Sequence, residues 1–137
     1  MKARVKKADV YVTEGGGWGD EGKGKVSTFF VLRALKKALK KKGRVLVIRA
    51  TGGANAGHTV FINGIKVATH LVPGGIGYEG VICLIGKGTL IDPSVLFPEI
   101  MEIEKLGVKD IHERLFIDQM ANILLPCHKV VDRKSVV

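Results

Sequence analysis

Apolar and polar positions divide the chain into short β-prone runs, two longer helical segments and several glycine-rich turns. Residues 8–13 alternate and predict a first strand, whereas residues 44–49 contain a continuous apolar run typical of a buried parallel strand. Between these runs, residues 23–42 carry apolar side chains at helical spacing, and Gly43 ends the helix. The order strand, glycine loop, helix, strand predicts a βαβ unit. Its helix is expected to bury Val26, Phe29, Phe30, Leu32, Leu35 and Leu39.

The rest of the chain continues the alternation of strands and helices. Further strands are predicted at residues 58–62, 65–72, 81–85 and 114–118, and a second helix at residues 92–106. Asn63-Gly64 between the first two of these strands is a strong β-hairpin signal. Asp92 followed by Pro93 predicts a capped helix start with proline at its first position. These elements predict an α/β fold in one domain, with a mainly parallel central sheet, flanking helices and one β-hairpin.

Composition and charge add a preference for an anionic ligand. Residues 1–78 hold 15 Lys/Arg and 4 Asp/Glu (+11), whereas residues 79–137 hold 7 and 9 (−2). Such a basic half suits a nucleotide, a nucleic acid or an acidic metabolite. Much of this charge lies in the lysine run at residues 36–42, which is more typical of a solvated helix face. A nucleic-acid interface is a weak alternative, since the run lacks neighbouring aromatic platforms.

Compartment signals in the sequence predict a cytoplasmic protein without a membrane anchor. The apolar segment near the start is too short for a signal peptide, and Glu14 interrupts it. No apolar run approaches the length needed to cross a membrane. Cys83 and Cys127 lie far apart without metal spacing, so we expect both to be reduced thiols in the core.

The most informative stretch is the first glycine loop, residues 17–25. It fits both G-x-G-x-x-G and the P-loop beginning G-x-x-x-x-G-K, which places Lys23 to reach a phosphate. Gly24 stands where a P-loop has the Ser or Thr that holds magnesium, and an acid, Asp20, lies inside the loop instead. That acid makes sense as a metal ligand or a proton acceptor. The plainer reading is that Asp20 and Glu21 are acids favoured near a helix start.

A second glycine loop, residues 51–59, favours the chemical reading. Gly52, Gly53 and Gly57 allow close backbone approach, and Asn55 and His58 are polar groups at the mouth of a sheet. Loops at the carboxyl ends of neighbouring parallel strands form the ligand crevice of open α/β folds. The carboxylate of Asp20 and the imidazole of His58 are therefore expected to face one pocket as base and acid.

Other residues with possible chemistry have plainer explanations. No spacing links His70, His112 and His128 to a metal site, so structural roles are expected for them. Trp18 in the first loop is expected to pack beneath it rather than to stack on a base.

The two loops together carry a family resemblance. The run from Trp18 to Lys25, followed by the run from Gly52 to Thr59, resembles adenylosuccinate synthetase. The likeness continues through residues 62–64, 70–76, 85–88 and 91–93, and it extends to Arg114-Leu115. It implies a P-loop-like nucleotide-binding fold and synthesis of adenylosuccinate from IMP, L-aspartate and GTP with Mg²⁺. A homodimer is also implied for the complete family protein.

The resemblance also implies a role for each matching residue. Asp20 would be the general base that removes the purine N1 proton, and His58 the acid that assists phosphoryl transfer. Asp20 and the backbone carbonyl of Gly57 would be the metal ligands. GTP would contact Gly19, Asp20, Glu21, Gly22, Lys23, Gly24, Lys25, Gly57, His58 and Thr59. IMP would contact Asp20, Glu21, Gly22, Lys23, Asn55, Ala56, Gly57 and His58.

The likeness covers nearly all of the chain but only about the first third of the family, so the predicted fold is truncated. Residues 1–137 are interpreted as the N-terminal portion of a single synthetase catalytic domain. The chain lacks the family's Thr-Thr-Gly-Arg-Gly segment for IMP, its guanine-reading Lys-x-Asp and its arginine-rich aspartate loop. We therefore expect the chain alone to be inactive. Two alternatives are a phage-type relative acting on dGMP, which tends to replace the catalytic acid retained here as Asp20, and a non-catalytic nucleotide-binding module.

Overall fold

The computed structural model of the protein describes residues 8–17, 21–55 and 57–134. Its helices are α1 (Lys23–Lys41), α2 (Pro93–Lys105), α3 (Ile111–Arg114) and α4 (Pro126–Lys134), with a 3₁₀ turn at Gly74–Gly77. Its strands are β1 (Val45–Gly52), β2 (His58–Ile62), β3 (Ile65–Thr69), β4 (Val81–Ile91), β5 (Leu115–Ile117) and β6 (Asn122–Ile123). None of the helices in these residues is long and apolar enough to cross a membrane.

Strand β4 is the centre of a parallel sheet, as predicted. It pairs with β1 on one side and with β5 on the other, and its last residues pair with β6. Strands β2 and β3 form a separate antiparallel hairpin. The core lies between the sheet, this hairpin and helix α2, and its fully buried members include Ile62, Leu71, Ile76, Val81, Ile85, Ile103 and Ile111.

The first predicted strand is not formed, so the predicted βαβ unit is incomplete. Residues 8–13 form no strand with any other described residues, and Val10 and Val12 are 80% and 81% exposed. The segment lies against helix α1 instead. The Tyr11 ring stacks on Phe30 at a centroid distance of 4.8 Å, and Lys37 donates to the Asp9 carboxylate. An alternating pattern predicts a strand only where a sheet edge takes up its backbone groups.

The predicted burial of helix α1 is wrong on most of its face. Phe29 and Leu39 are 58% and 82% exposed, and Val26 and Leu32 are also exposed. The side chains that meet the core are Val31, Ala34 and Ala38, together with Leu35, which the prediction included. The face that packs on the protein therefore overlaps the predicted face at Leu35.

Strand β1 was predicted to be buried on both faces, and one face is open. Leu46 and Ile48 are each 52% exposed, whereas Val45 and Arg49 on the opposite face are buried. Phe116 on β5 is 51% exposed as well. A continuous apolar run is typical of a strand covered on both sides, and in the described residues only one side of β1 is covered.

Strand β4 continues six residues beyond its predicted end at residue 85. The prediction stopped at Gly86 and Gly88, which usually weaken a strand. Here the backbone of β1 approaches so closely that a Cβ on Gly88 would lie 2.5 Å from the Ala50 carbonyl oxygen. The register between the two strands shifts between Arg49 and Thr51, at the same point. Glycine therefore marks a close approach of two backbones rather than the end of the strand.

Turn and cap signals predicted the local structure well. Asn63 and Gly64 join β2 to β3 with positive φ angles of 50° and 81°, as a tight hairpin turn requires. Asp92 caps α2 by accepting from the Ser94 backbone N–H at 3.0 Å, with Pro93 at the first helical position.

The two cysteines differ from each other, contrary to prediction. Cys83 is fully buried in β4, and burial raises the pKa of its thiol to about 12. Cys127 at the start of α4 is exposed. Both are free thiols, but only Cys83 belongs to the core.

Candidate functional site

The first glycine loop leads into the N-terminus of α1. Gly22 is the residue before the helix, and its φ of 71° lies in the left-handed region that suits glycine. No side chain caps this end of the helix, and Gly22 supplies only its carbonyl to the Val26 N–H at 3.1 Å. Backbone N–H groups of the first helical turn are thus available to an anion, with the helix dipole in their favour.

Lys23 has an internal partner at this helix start. Its ammonium lies 2.7 Å from the Glu21 carboxylate. The Lys23 hydrogen bond holds the pKa of Glu21 below its ordinary value, and the backbone of Gly16 and Gly17 adds to the effect. The Glu21 carboxylate thus accepts hydrogen bonds from a lysine and from the backbone, the same kinds of donor that a phosphate meets in a glycine loop.

Gly24 brings the start of α1 against the start of β2. A Cβ on Gly24 would lie 2.7 Å from the carbonyl oxygen of Thr59, which is closer than real Cβ contacts. Thr59 directly follows His58, so this contact joins the first glycine loop to the second. It also accounts for glycine at the position where a P-loop carries Ser or Thr.

Gly24→Ala is expected to lower the free energy of unfolding by about 1–2 kcal/mol, the usual cost of inserting a methyl group into a packed contact. Glycine to alanine within a helix is ordinarily stabilising by about 1 kcal/mol, so the sign of the effect is diagnostic. Urea denaturation followed by circular dichroism measures it. Gly16→Ala is the matched control, because a Cβ there meets no atom within 4 Å. Stability equal to or above that of the parent chain in Gly24→Ala would contradict the contact.

His58 is half-buried beside three cationic or basic groups. Burial lowers the pKa of its imidazole, and the nearby Arg49, Lys23 and His70 lower it further. The ring is therefore uncharged at neutral pH and donates one N–H. Gly24, next to Lys23, contacts Thr59, next to His58, so the lysine and the histidine lie in one region of the molecule.

The second glycine loop follows β1 and is held by Arg49. The guanidinium of Arg49 is buried and donates to the Gly53 carbonyl oxygen at 2.9 Å. Gly52 beside it has a φ of 99°, again in the region that favours glycine. At the other end of the loop, a Cβ on Gly57 would come within 3.5 Å of the His70 ring. Asn55, between these points, is exposed.

Glu99 organises the segment after the hairpin. It is a buried carboxylate on α2 that accepts three consecutive backbone N–H groups, from His70 at 2.9 Å, Leu71 at 3.0 Å and Val72 at 3.0 Å. These bonds end β3 at Thr69, three residues before its predicted end, because the amides turn toward the carboxylate.

Sequence reasoning missed both Arg49 and Glu99 as organising residues. A signal for Arg49 was present, since a charged residue at the end of a continuous apolar run is costly to bury without a partner. Glu99 carries no comparable signal, because an acid on an amphipathic helix is usually exposed.

The structure places part of the predicted site. It brings Lys23, Gly24, His58 and Thr59 together. Gly22, Lys25, Asn55 and Gly57 lie on the two loops or the first turn of α1, and Glu21 pairs with Lys23. Gly19, Asp20 and Ala56, with Trp18, lie outside the described residues. Within the described part of the chain, no group of three or more His, Cys, Asp or Glu residues is arranged to hold a metal ion.

His112 and His128 have local partners, in line with the structural roles expected for them. His112 lies 2.9 Å from the Glu104 carboxylate, and His128 accepts the Leu125 backbone N–H at 3.2 Å.

Comparison with known proteins identifies the family. The family model of adenylosuccinate synthetase matches residues 12–136, which is almost the whole chain. The chain belongs to this family. Among curated relatives, the adenylosuccinate synthetase of Gloeothece citriformis is 44% identical over 121 residues, covering 88% of this chain and 24% of the relative. The corresponding protein of Acetivibrio thermocellus is 42% identical, covering 88% and 26%. The chain thus spans about a quarter of the length of these relatives.

Solved structures agree with the α/β, P-loop-type fold. The fully ligated adenylosuccinate synthetase of Plasmodium falciparum matches with a TM-score of 0.66 and 35% identity, over 86% of this chain and 24% of that chain. A cyanophage S-2L succinoaminodeoxyadenylate synthetase, bound to dGMP and dATP, matches with a TM-score of 0.58 and 24% identity. It covers 85% of this chain and 30% of the phage protein, and at this identity it supports the fold alone.

Proposed function

We propose that residues 1–137 are the N-terminal portion of a single adenylosuccinate synthetase catalytic domain. The complete enzyme would join IMP and L-aspartate at the expense of GTP, in the cytoplasm and as a homodimer. Family membership supports the reaction class. The observation that carries the proposal for this chain is the contact of Gly24 with Thr59, which sets Lys23 and His58 in one region.

The first glycine loop and the start of α1 are proposed to bind the phosphates of GTP. The residues concerned are Gly19, Asp20, Glu21, Gly22, Lys23, Gly24 and Lys25, joined by Gly57, His58 and Thr59 from the second loop. The open first turn of α1 offers backbone N–H donors, and Lys23 offers a compact positive charge. Lys23 forms an ion pair with the Glu21 carboxylate, so a phosphate that binds Lys23 would displace this carboxylate.

The purine substrate is proposed to lie between the two loops. Asp20, Glu21, Gly22, Lys23, Asn55, Ala56, Gly57 and His58 would contact IMP. Asp20 would take the N1 proton, so that the 6-oxygen can attack the γ-phosphate. His58 is uncharged at neutral pH because its pKa is lowered, so it would assist by donating an N–H hydrogen bond to the oxygen on which charge develops.

Magnesium fits the proposed donors. Asp20 offers a carboxylate and Gly57 a backbone carbonyl, and Mg²⁺ prefers oxygen ligands and commonly takes one or two from the protein with the rest from phosphates and water. When bound, the ion would neutralise charge on the phosphates.

A chimeric enzyme tests the proposal. The matching segment of the Acetivibrio thermocellus synthetase would be replaced by residues 12–136 of this chain. Adenylosuccinate formation from IMP, GTP, Mg²⁺ and aspartate is expected, and Asp20→Asn or His58→Ala should lower kcat about 100-fold or more. Lys40→Ala, at the exposed far end of α1, is the control and should leave kcat within about twofold.

Two outcomes of this experiment would contradict the proposal. One is a folded chimera, with the circular dichroism of the parent enzyme, that forms no product. The other is an active chimera whose turnover survives both substitutions. A chimera that acts on dGMP in preference to IMP would support the phage-type alternative instead.

A further inference from the structure

Two buried charged residues flank the proposed site, and neither was predicted from the sequence as a site residue. Arg49 on β1 is 9% exposed, and Glu99 on α2 is 6% exposed. Burial lowers the pKa of Arg49 below its ordinary value, and the Glu99 carboxylate opposes that lowering. Buried charges are costly unless each is paired or hydrogen-bonded, so both need a structural or functional reason.

Each of the two residues holds a different backbone segment next to His58. Arg49 bonds the loop that precedes His58, through the Gly53 carbonyl. Glu99 holds residues 70–72, directly after the hairpin strand that pairs with His58. In that hairpin His58 lies opposite Thr69, whose hydroxyl donates to the His58 carbonyl at 3.4 Å.

The donors of Arg49 are only partly used. Its Nε is buried with no hydrogen-bond partner in the described residues. A guanidinium placed only for stability normally has its donors satisfied. Arg114 elsewhere in this protein shows the difference, since it bonds Asp110 with two nitrogens and three backbone carbonyls with its terminal pair.

We propose that Arg49 and Glu99 are positioning residues that act as one unit, setting the second glycine loop and the base of the hairpin on either side of His58. The expected effect on nucleotide binding rests on the proposed function. The coupling of residues 51–57 to residues 70–72 is a property of the chain itself and can be tested without any ligand.

The substitutions Glu99→Gln and Arg49→Met each remove one charge and its hydrogen bonds to the backbone segment that it contacts. In Glu99 both carboxylate oxygens accept from the three backbone N–H groups. Glutamine has one acceptor oxygen, and its NH₂ group only donates, so at least one of these hydrogen bonds is lost. Arg49→Met keeps the length and apolar stem but removes the donor to Gly53. Arg49→Lys keeps the charge and a donor, and should rescue in part.

Amide hydrogen exchange and NMR shifts on the complete 137-residue chain test the coupling. Glu99→Gln is expected to lower protection at residues 53–57, which Glu99 does not touch. Arg49→Met should lower protection at residues 70–72, which Arg49 does not bond. Ile103→Val is the control for lost stability, because it removes one buried methyl from α2 and neither of the two buried charges. If each variant changes only its own segment, or if Ile103→Val gives the same pattern, the inference is overturned.

Titration with Mg²⁺ and GTP then tests the consequence. Glu99→Gln and Arg49→Met should each weaken binding about tenfold, and the double variant should be no weaker than the worse single one, because both remove the same arrangement. Additive losses would contradict a single unit. Failure of the parent chain to bind GTP would count against the proposed function alone, since the exchange experiment decides the coupling separately.

Discussion

Purified chain supplied with IMP, GTP, Mg²⁺ and L-aspartate is expected to form no measurable adenylosuccinate. The reaction aligns three substrates, and correct positioning is worth roughly 7–11 kcal/mol of a barrier. His58 and Lys23 are present at a common site, but the segments that the family resemblance assigns to guanine, aspartate and part of IMP are not among these 137 residues.

The exposed sheet face gives a second reason for inactivity. Leu46 and Ile48 on β1 and Phe116 on β5 are each about half exposed, and these two strands flank β4 in the sheet. The matched relatives are about four times as long as this chain. An apolar patch of this kind favours association with other chains over a fixed active-site geometry.

Optical measurement of product formation checks the prediction, with Asp20→Asn as the control for a contaminating synthetase. Turnover at an ordinary enzyme rate that Asp20→Asn abolishes would show that the other segments are dispensable. Activity that survives Asp20→Asn would indicate contamination and would leave the prediction standing.

The largest effect on stability is expected from Arg114→Met. The Arg114 guanidinium is buried and donates to the carbonyl oxygens of Ile76, Tyr78 and Val81 at 2.9–3.1 Å. It thereby ties β5 to the turn that leads into β4. Removing it leaves several buried carbonyls without their donor, at about 1–3 kcal/mol each. We expect a loss of about 3 kcal/mol or more, a large fraction of the stability of a small domain.

Urea denaturation measures this loss, and Arg33→Ala is the matched control. Arg33 is an exposed arginine on α1, so its removal should change the free energy of unfolding by no more than about 0.5 kcal/mol. Equal midpoints for the two variants would show that the Arg114 bonds contribute little to the fold. The Asp110 carboxylate, whose pKa is held below its ordinary value by Arg114, should titrate nearer that value in Arg114→Met.

Local signals in the sequence predicted the features that depend on a few adjacent residues. Asn63-Gly64 predicted the hairpin and Asp92-Pro93 the start of α2, because turn and cap geometry is decided within four residues. The parallel character of the sheet was also predicted, because a continuous apolar run is typical of parallel strands, although the pairing of β1 with β4 was not.

Features that depend on distant partners did not follow from the sequence. Residues 8–13 have a strand pattern but no sheet edge to pair with, and lie on α1 instead. The strand predicted at residues 81–85 stopped short of Gly88, which lies within β4 and is glycine because the β1 backbone lies against it. The clamp of Glu99 on three backbone amides joins residues almost thirty positions apart, which no local pattern shows.

The candidate site shows the same contrast between local sequence signals and contacts of distant residues. Glycine motifs predicted where the two loops lie, and the structure adds that Gly24 meets Thr59 and that Lys23 pairs with Glu21. The roles of Asp20 and Ala56 stay predictions, since both residues lie outside the described part of the chain. The importance of Arg49 came only from its burial and its bond to Gly53.

The central claim is that the two glycine loops form one phosphate site, and mapping GTP binding by NMR tests it most directly. Addition of GTP with Mg²⁺ to the ¹⁵N-labelled chain is expected to shift the backbone amides of Gly22, Gly24, Gly57 and Thr59. Lys23→Ala should suppress these shifts, whereas Lys40→Ala should leave them unchanged. Shifts centred on the lysine run at residues 36–42, equal in the parent and Lys23→Ala chains, would contradict the claim and indicate non-specific binding of anions by a basic helix face.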